Sequence, residues 1–482
     1  MPGSPYLRDM DFDLTPDQRQ QLFNQLLPRL EQFYGQTRDL RVSPELDPEK
    51  IREWVAGFDF SRPLPPLEAV DTVVDNLLKY QVHVPHPMYY GLYNPRTNFP
   101  SILAELIAGY FNPQLAAWSH SPYAAEVERY LLREYGARFG YARESVDGTF
   151  TSGGAEANLT GILCALNHTF PDYANQGYRA FHREPVIYCS DQAHHSVVKA
   201  ARVVGLGLQA VVTIPTNDRL ELSVDSLRDH FLADRTAGNR PFLVIATAGT
   251  TGTAAIDKLS AIAELCRQND CWFHVDAAFG GAAVLNDDYR HWLKGIERAD
   301  SIATDIHKWL SVPMGTGMLL TRHPDILDKT FNTQAAYMPR EGKSLSIVDP
   351  YTHTIQWSRR FLGLRMYLSL LVFGWAGYAK TIRHHVEMGD YLRERLTAHG
   401  WTLTNDTPLP VVCFSRPGVT DAGAFAREVC SRVVASGEAW ISVYPIRGVD
   451  CLRAGITNYA TTRADIDKLL ALLERVRSAV TN

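Results

Sequence analysis

The sequence predicts an α/β fold in which a large domain with a mostly parallel sheet is followed by a smaller α+β domain. Two observations predict it. From about residue 145, short β-branched runs alternate with amphipathic helical segments, which is typical of a parallel sheet covered by helices on both faces. Beyond about residue 380, strands and helices follow each other without this alternation. We therefore divide the chain into an N-terminal helical arm (1–75), a large domain (76–350) and a small C-terminal domain (351–482).

The arm begins with an amphipathic helix over residues 15–34. Thr15, Pro16 and Gln18 suit the N-cap, first and third positions of this helix, and apolar residues recur along it at helical spacing. A helix this apolar needs a surface to lie on. The proline-rich stretch 59–70 then predicts a linker into the large domain.

The strands of both domains are predicted from their apolar, β-branched runs. In the large domain they are VIYCS (186–190), AVVTIP (210–215), FLVIAT (242–247), WFHVDA (272–277), SIAT (301–304) and GMLLT (317–321). In the small domain they are PVVCFS (410–415) and ISVYPI (441–446), accompanied by helices over 421–436 and 462–480. The segment 148–166 is predicted to be a loop of small residues followed by a helix.

Composition excludes several classes of function. The net charge of −5 offers no basic surface for nucleic acid or anionic lipid. The longest nearly uncharged apolar stretch, 367–379, is too short to cross a bilayer, and the N-terminus lacks the apolar segment of a signal peptide. None of the seven cysteines stands in a C-x-x-C pair, which favours a reducing compartment. We expect a cytoplasmic protein that binds a small molecule, and no nucleic acid, membrane or metal.

Polar residues follow the predicted strands. They are His194, Thr247, Asp276 and the pair His307 and Lys308. Ligands of open α/β sheets bind at the carboxyl ends of the strands, so we expect these side chains to lie together. Taken singly, each has an ordinary explanation: Asp276 could cap a helix, His194 could be a core histidine, and Thr247 could be a strand residue. Their shared position at one edge of the sheet favours a site.

The glycine turn before the helix of 148–166 suits an anion. Gly153, Gly154 and Ala155 leave backbone N–H groups free at a helix N-terminus, where a phosphate is favoured. Such a turn is a weak signal alone. No G-x-x-x-x-G-K-[ST] run occurs in the chain, so a nucleoside triphosphate is not the expected anion.

Lys308 stands between Ile306 and the apolar pair Trp309 and Leu310. A lysine so placed usually covers apolar neighbours with its stem while its ammonium reaches water. One cofactor, pyridoxal phosphate, instead uses all of these groups: a phosphate cradle, a carboxylate for its pyridine nitrogen, a flat partner for its ring and a lysine amine. A Schiff base forms best from an amine with a lowered pKa, so we expect the apolar neighbours to lower the pKa of Lys308.

Six motifs occur in the order HPMYYGLYNPRTNFPSILAEL (86–106), TSGGAEANL (151–159), SDQAHHSV (190–197), ATAGTTGT (246–253), HVDAAFGG (274–281) and DIHKWL (305–310). In this order and spacing, the chain resembles the group II pyridoxal-phosphate-dependent amino-acid decarboxylases, which include aromatic-L-amino-acid, tyrosine and glutamate decarboxylases. The resemblance covers nearly the whole chain. It implies the type I fold of pyridoxal-phosphate enzymes, similar to aspartate aminotransferase, and a homodimer in which the arm packs across the partner.

The resemblance also implies a role for each residue of the site. Lys308 would form the Schiff base, Asp276 would face the pyridine nitrogen, His194 would stack on the ring, Ala278 would pack beneath it, Thr247 would lie near the reacting atoms, and Gly153, Gly154, Ala155 and His307 would hold the phosphate. Two departures from the family stand out. Asp305 and Ile306 replace the asparagine and proline of many members, and GGA lacks a serine hydroxyl that some relatives supply. An acid beside a phosphate is repelled, so we expect Asp305 to point away or to be paired.

The expected reaction converts an L-amino acid to its amine and carbon dioxide. The family places Tyr93, Asn94 and Trp118 near the substrate side chain, which slightly favours an aromatic substrate, whereas Arg96 could meet an acidic one. An aminotransferase, an aldehyde-forming enzyme and a non-catalytic regulatory relative remain alternatives. The presence of both Lys308 and Asp276 argues against the last of these.

A loop that closes over the substrate is predicted over 338–357, which mixes Pro, Gly and charged residues. In the family a tyrosine of this loop returns the proton to the α-carbon. The spacing to the RRF run at 359–361 makes Tyr351 the best match, with a one-residue gap, although Tyr351 could also be an ordinary surface residue.

Overall fold

The computed structural model describes residues 12–93, 95–333 and 347–481. The helices are α1 (Pro16–Gln36), α2 (Pro48–Ala56), α3 (Pro66–Tyr80), α4 (Phe99–Phe111), α5 (Pro122–Arg138), α6 (Gly154–Thr169), α7 (Tyr173–Gln176), α8 (Ser196–Val203), α9 (Val224–Thr236), α10 (Leu259–Gln268), α11 (Ile326–Phe331), α12 (Gly363–Ala398), α13 (Ala422–Ser436) and α14 (Arg463–Thr481). The strands are β1 (Asp147–Thr151), β2 (Pro185–Ser190), β3 (Val211–Ile214), β4 (Arg240–Thr247), β5 (Trp272–Asp276), β6 (Ser301–Asp305), β7 (Gly317–Thr321), β8 (Thr402–Leu403), β9 (Val411–Ser415), β10 (Ser442–Ile446) and β11 (Val449–Gly455).

The large sheet has seven strands in the order β1-β7-β6-β5-β4-β2-β3. Strands β2 to β6 pair in parallel, and β7 runs antiparallel to both β1 and β6. Every residue of β2, β5, β6 and β7 is buried, because helices cover both faces of the sheet. The mostly parallel sheet and its six predicted strands are confirmed.

Strand β1 is the element of this sheet that the sequence did not predict. Residues 148–151, expected to be loop, instead pair with β7 along the sheet edge. Their small side chains give a weak strand signal, and the pairing with β7 supplies what local preference lacks. The helix predicted after this segment is confirmed as α6.

The N-terminal helix α1 is confirmed together with its cap. The Thr15 side chain accepts the Gln18 N–H while the Gln18 side chain accepts the Thr15 N–H, which forms a reciprocal capping box. The expected linker 59–70 is only partly a linker, because α3 begins at Pro66, and proline is well suited to a first helical position. Arg29 of α1 forms ion pairs with two aspartates of α3, so the two helices pack together.

The small domain is a four-stranded antiparallel sheet in the order β10-β11-β9-β8, with α13 packed on it and α14 packed on α13 and α12. Residues 88–90 belong to its core, and the Tyr90 N–H donates to the Trp440 carbonyl at 2.8 Å. Helix α12 contacts α4 and α5 of the large domain and β9 and α14 of the small one, with a break at Gly374 (φ 61°). Within the described ranges, no helix has the length and hydropathy needed to cross a membrane.

Candidate active site

Thr247, Asp276 and Asp305 stand at the carboxyl ends of three neighbouring parallel strands. Thr247 ends β4 and is the register partner of Asp276 at the end of β5, which lies beside the end of β6. Lys308 follows β6 by three residues. The sheet therefore brings the predicted polar residues to one edge, as the strand positions indicated.

Lys308 is held by an ion pair with Asp305. Its Nζ lies 3.0 Å from Asp305 Oδ2, and its side chain is 23% exposed. Burial lowers the pKa of the Lys308 ammonium, but the charges of Asp305 and Asp276 raise it by more, so the pKa is raised above its usual value. The expectation of a lowered pKa is therefore wrong for the free lysine, because apolar neighbours in sequence do not exclude a carboxylate in space. The expectation that Asp305 is paired is confirmed.

The glycine turn at the start of α6 lies against this pair. Gly153 has φ +154°, which residues with a side chain rarely adopt. A Cβ at Gly154 would stand 3.0 Å from Asp305 Oδ2 and 3.2 Å from the Cβ of Ala278, so a larger residue there would have to displace one of these neighbours. A Cβ at Gly153 would stand 3.2 Å from His307 Cε1. The structure thus brings together the turn, Ala278 and the His307 ring, which were predicted to hold the phosphate and ring.

Asp276 is fixed by hydrogen bonds to both oxygens. Oδ1 accepts the Ala278 N–H at 3.1 Å, and Oδ2 accepts the Asn158 side-chain amide at 2.8 Å. Asn158 also donates to Ser196 Oγ, and its own oxygen lies 3.0 Å from His274 Nε2. Burial lowers the pKa of His274 to about 4, which keeps this histidine neutral, with a ring N–H that it can donate to Asn158. Asn158 was not predicted as a site residue, although it lies inside the TSGGAEANL motif.

His194 joins the same network through Ser196, whose Oγ lies 2.8 Å from His194 Nδ1. Burial lowers the pKa of His194, and a neutral imidazole suits stacking on a ring. The Thr247 N–H donates to Asp257 Oδ2 at 2.7 Å, and burial raises the pKa of Asp257 to about 6. Asp257 was not predicted, because it stands in a loop ten residues beyond β4 rather than at a strand end.

An aromatic ring, that of Tyr93, lies beside Lys308. The Tyr93 ring lies 4.1 Å from the Phe279 ring, and Lys308 Nζ lies 5.7 Å from the centre of Tyr93. The Arg453 guanidinium lies 5.1 Å from the same ring and donates to the carbonyls of Gly91, Thr251 and Gly252. Arg453 belongs to β11, which the sequence did not predict, so its place beside Tyr93 could not be foreseen.

Four other predicted residues are not placed with this group. Asn94 lies outside the described residues. Trp118 donates its backbone N–H to Asp349 and its ring N–H to Glu126, both at 2.8 Å. Arg96 stacks on the Tyr34 ring at 4.0 Å and donates to the Tyr34 carbonyl. The arm therefore engages Arg96 rather than leaving it free for an acidic substrate.

Tyr351 is the fourth predicted residue that the structure does not place beside Lys308. Residues 338–346 of the expected loop lie outside the described residues, but residues 350–353 form a buried 3₁₀ turn against β1. The Tyr351 ring packs on Trp357 at 4.8 Å, and its N–H donates to Ala116. The alternative that Tyr351 is an ordinary surface residue is wrong, because its side chain is buried beside β1, which β7 separates from β6. Its place in a loop that closes over the substrate stays a prediction.

The arrangement fits pyridoxal phosphate on grounds that the structure itself supplies. The glycine turn forms the N-terminus of α6, where the backbone N–H groups of a helix favour a phosphate. Among the described residues, Thr247 Oγ1 is a buried hydroxyl without a hydrogen-bond partner, which a polar group of the cofactor would satisfy. Lys308, Asp276 and His194 supply the amine, carboxylate and flat ring that the cofactor requires.

Comparison with known proteins agrees with this fit. The family model for the pyridoxal-dependent decarboxylase conserved domain matches residues 56–416. An aromatic-L-amino-acid decarboxylase of Bacillus atrophaeus is 28% identical over 98% of both chains. An L-aspartate decarboxylase of Metarhizium robertsii is 30% identical over 71% of this chain and 68% of its own. The crystal structure of mouse CSAD superposes with a TM-score of 0.90, at 26% identity over 96% of this chain and 99% of the mouse chain.

Proposed function

Because the chain belongs to the pyridoxal-dependent decarboxylases, which are pyridoxal-phosphate-dependent amino-acid carboxy-lyases, we propose that it converts an aromatic L-amino acid to its amine and carbon dioxide. The observation that carries the choice of substrate is the Tyr93 ring beside Lys308, with Phe279 packed against it. A flat aromatic side chain packs favourably on such a ring. The aromatic-amino-acid decarboxylase that matches the whole chain supports the same choice.

In this proposal each residue of the site has one task. The Gly153–Gly154 turn and His307 hold the phosphate, and His194 covers one face of the cofactor ring. Asp276 keeps a proton on the ring nitrogen, and Lys308 binds the cofactor covalently between turnovers. When bound, the cofactor accepts through its ring the electron pair that remains at the α-carbon as carbon dioxide leaves. The Asn158 network holds the Asp276 carboxylate in place for this step.

An acidic substrate is the second candidate, and Arg453 is the observation that favours it. Its buried guanidinium places a positive charge beside Tyr93, where the carboxylate of an aspartate-like side chain could pair with it. The L-aspartate decarboxylase among the relatives supports this alternative. Against it, three of the Arg453 N–H groups already donate to backbone carbonyls.

The two candidates are separated by a substrate panel. The purified holoenzyme is incubated with each of the twenty amino acids, dihydroxyphenylalanine and cysteine sulfinate, and carbon dioxide, amine, aldehyde and keto acid are measured. We expect the largest kcat/KM for an aromatic amino acid, with amine and carbon dioxide formed in equal amounts. A larger kcat/KM for aspartate, glutamate or cysteine sulfinate contradicts the proposal, and a keto acid product would indicate an aminotransferase.

Tyr351 remains proposed as the acid that returns the proton to the α-carbon. Tyr351→Phe should still release carbon dioxide, because that step needs no proton from the tyrosine. With the α-carbon left unprotonated, dioxygen can oxidise it and is reduced to hydrogen peroxide, and water then hydrolyses the resulting imine to the aldehyde and ammonia. We therefore expect less amine and more aldehyde per carbon dioxide from this variant. An unchanged amine yield would leave Tyr351 as a packing residue of the β1 edge.

We also propose a homodimer in the cytoplasm. Large apolar side chains are exposed along one group of helices: Leu27 and Leu30 of α1, Val73 and Leu77 of α3, Leu103, Leu106, Ile107, Tyr110 and Phe111 of α4, and Leu371, Val372 and Phe373 of α12. Apolar surface of this extent usually marks an interface. The seven cysteines are free thiols, which agrees with a reducing compartment.

Phe111→Asp tests the dimer. The Phe111 side chain is 81% exposed in one chain, so the change should leave the monomer folded, whereas a carboxylate buried in an interface should weaken association about a hundredfold. Light scattering over a dilution series measures this. Tyr178→Asp, at a tyrosine that is 75% exposed outside the α1, α3, α4 and α12 group, is the control and should remain dimeric. A folded, active monomer lacking residues 1–60 would contradict the proposed role of the arm.

A further inference from the structure

Asp305 is the unusual residue of the site. It ends β6, its side chain is 2% exposed, and its Oδ2 lies 3.0 Å from Lys308 Nζ and 3.8 Å from His307 Nε2. Among the described residues, its second oxygen, Oδ1, is buried without any hydrogen-bond partner. A buried carboxylate oxygen without a hydrogen bond is costly. The ion pair between Oδ2 and Lys308 therefore supplies most of the stabilisation that this carboxylate receives.

The carboxylate also lies at the place proposed for the phosphate. A Cβ at Gly154 would stand 3.0 Å from its Oδ2, and a Cβ at Gly317 would stand 2.6 Å from its Oδ1. The glycine turn and β7 therefore enclose Asp305 and leave it little freedom to move away. A phosphate bound at the turn would bring a second anion close to it, and like charges at such a distance repel.

Other charges near the pair do not replace Asp305. The titratable groups that act on Lys308 or Asp305 are Asp276, Tyr93, His194 and His307, and the charge of Arg365 acts on His307. Burial lowers the pKa of both histidines, which leaves them neutral at pH 7. Asp276 is committed to Asn158 and Ala278. Asp305 is the carboxylate in hydrogen-bond contact with the lysine.

We propose that Asp305 is a positioning residue that holds free Lys308 as an ammonium beside the glycine turn, so that covalent attachment of the cofactor requires this ion pair to be broken. The proposal rests on the proposed role of Lys308. Attachment requires the ammonium to lose one proton to solvent. The amine nitrogen then forms a double bond to the aldehyde carbon of the cofactor, and the aldehyde oxygen leaves as water. Asp305 opposes the first of these steps, and it recaptures Lys308 whenever a substrate amine releases it.

The test measures the rate of attachment in cofactor-free protein between pH 6 and pH 10. Pyridoxal, which lacks the phosphate, is the first probe, because its rate of attachment depends on the Lys308–Asp305 ion pair and not on repulsion between Asp305 and a phosphate. Attachment is followed by absorbance and by borohydride reduction with mass spectrometry of the Lys308 peptide. In Asp305→Asn the rate should reach its maximum at least one pH unit lower than in wild type, so that attachment near pH 7 is about tenfold faster. With pyridoxal phosphate the gain should be larger, because the repulsion of the phosphate is also removed.

Asp300→Asn is the matched control. Asp300 is a mostly buried acid that pairs with Arg322 immediately before β6, at the opposite end of that strand. Its substitution should leave the pH profile of attachment unchanged. Asp305→Ser, which is smaller and uncharged, repeats the test if the asparagine variant does not fold. Wild-type protein that already attaches pyridoxal at its maximal rate at pH 7 overturns the proposal without any variant.

The outcomes separate this inference from the proposed role of Lys308. If borohydride labels Lys308 in neither wild type nor variant, the role of Lys308 is wrong. If Lys308 is labelled in both with the same pH profile, that role stands and the proposal for Asp305 is wrong. A general structural role for Asp305 would lower the melting temperature without moving the pH profile to lower values.

Discussion

Asp276→Asn is expected to keep the fold and to lower kcat by about a thousandfold, the effect of removing one electrostatic group that acts in the transition state. In its proposed role, the carboxylate would keep a proton on the ring nitrogen of the bound cofactor, and that positive charge would favour withdrawal of electrons from the α-carbon. A neutral amide cannot hold this charge. An asparagine oxygen can still accept from Asn158, but its NH2 group would then face the Ala278 N–H, so one of the two hydrogen bonds is lost while the other keeps the side chain in place.

The comparison for this prediction needs two readouts besides kcat. Cofactor uptake, followed by absorbance, should remain, because the proposed phosphate-binding turn and Lys308 are unchanged. The melting temperature should change little. Asp300→Asn again serves as the control and should retain activity, because Asp300 lies at the opposite end of β6. Turnover of Asp276→Asn within tenfold of wild type would remove Asp276 from its proposed role.

Lys308→Ala is expected to abolish covalent cofactor binding and to lower turnover to the limit of detection. It should also destabilise the fold by about 2 kcal/mol, because the Asp305 carboxylate would be left buried without its partner. The two effects can be separated. Lys308→Arg keeps a cation for Asp305 but cannot form the Schiff base, so it should retain stability and lose activity. The double variant Lys308→Ala/Asp305→Asn should recover the lost stability. Measurable turnover in Lys308→Ala would contradict the account.

Residues at strand ends were the most predictable part of the molecule. Parallel strands such as β4, β5 and β6 are buried on both faces, so their sequences are continuous apolar runs with clear ends. A polar residue that directly follows such a run must lie at the carboxyl ends of the strands, where ligands bind. This is why the amino-acid sequence alone was enough to group Thr247, Asp276 and Lys308.

Residues whose importance depends on an ion pair or hydrogen bond with another side chain were less predictable. The position of Asp305 beside Lys308 follows from a tight turn after β6, but the raised pKa of the lysine depends on a distance of 3.0 Å that no spacing rule gives. Asn158 and Asp257 have ordinary sequence surroundings and become significant only through hydrogen bonds to Asp276 and Thr247. Their contacts join segments about 118 and 10 residues apart, respectively.

Segments with weak local signals caused the remaining differences. Strand β1 is short and rich in small residues, and β11 carries Asp450 and Arg453 within it, so neither has the pattern of a buried strand. Sheet pairing, a long-range effect, decides both. The burial of Tyr351 could not be predicted for a related reason, because it depends on packing of its ring on Trp357 beside β1.

The most direct test of the central claim is borohydride reduction of the holoenzyme followed by mass spectrometry of its peptides. The claim is that Lys308 carries the cofactor at the carboxyl edge of the sheet. We expect the purified protein to be yellow, and reduction to fix one pyridoxyl phosphate group on the peptide that contains Lys308. Label on a different lysine, or a protein that takes up no pyridoxal phosphate, would contradict the account.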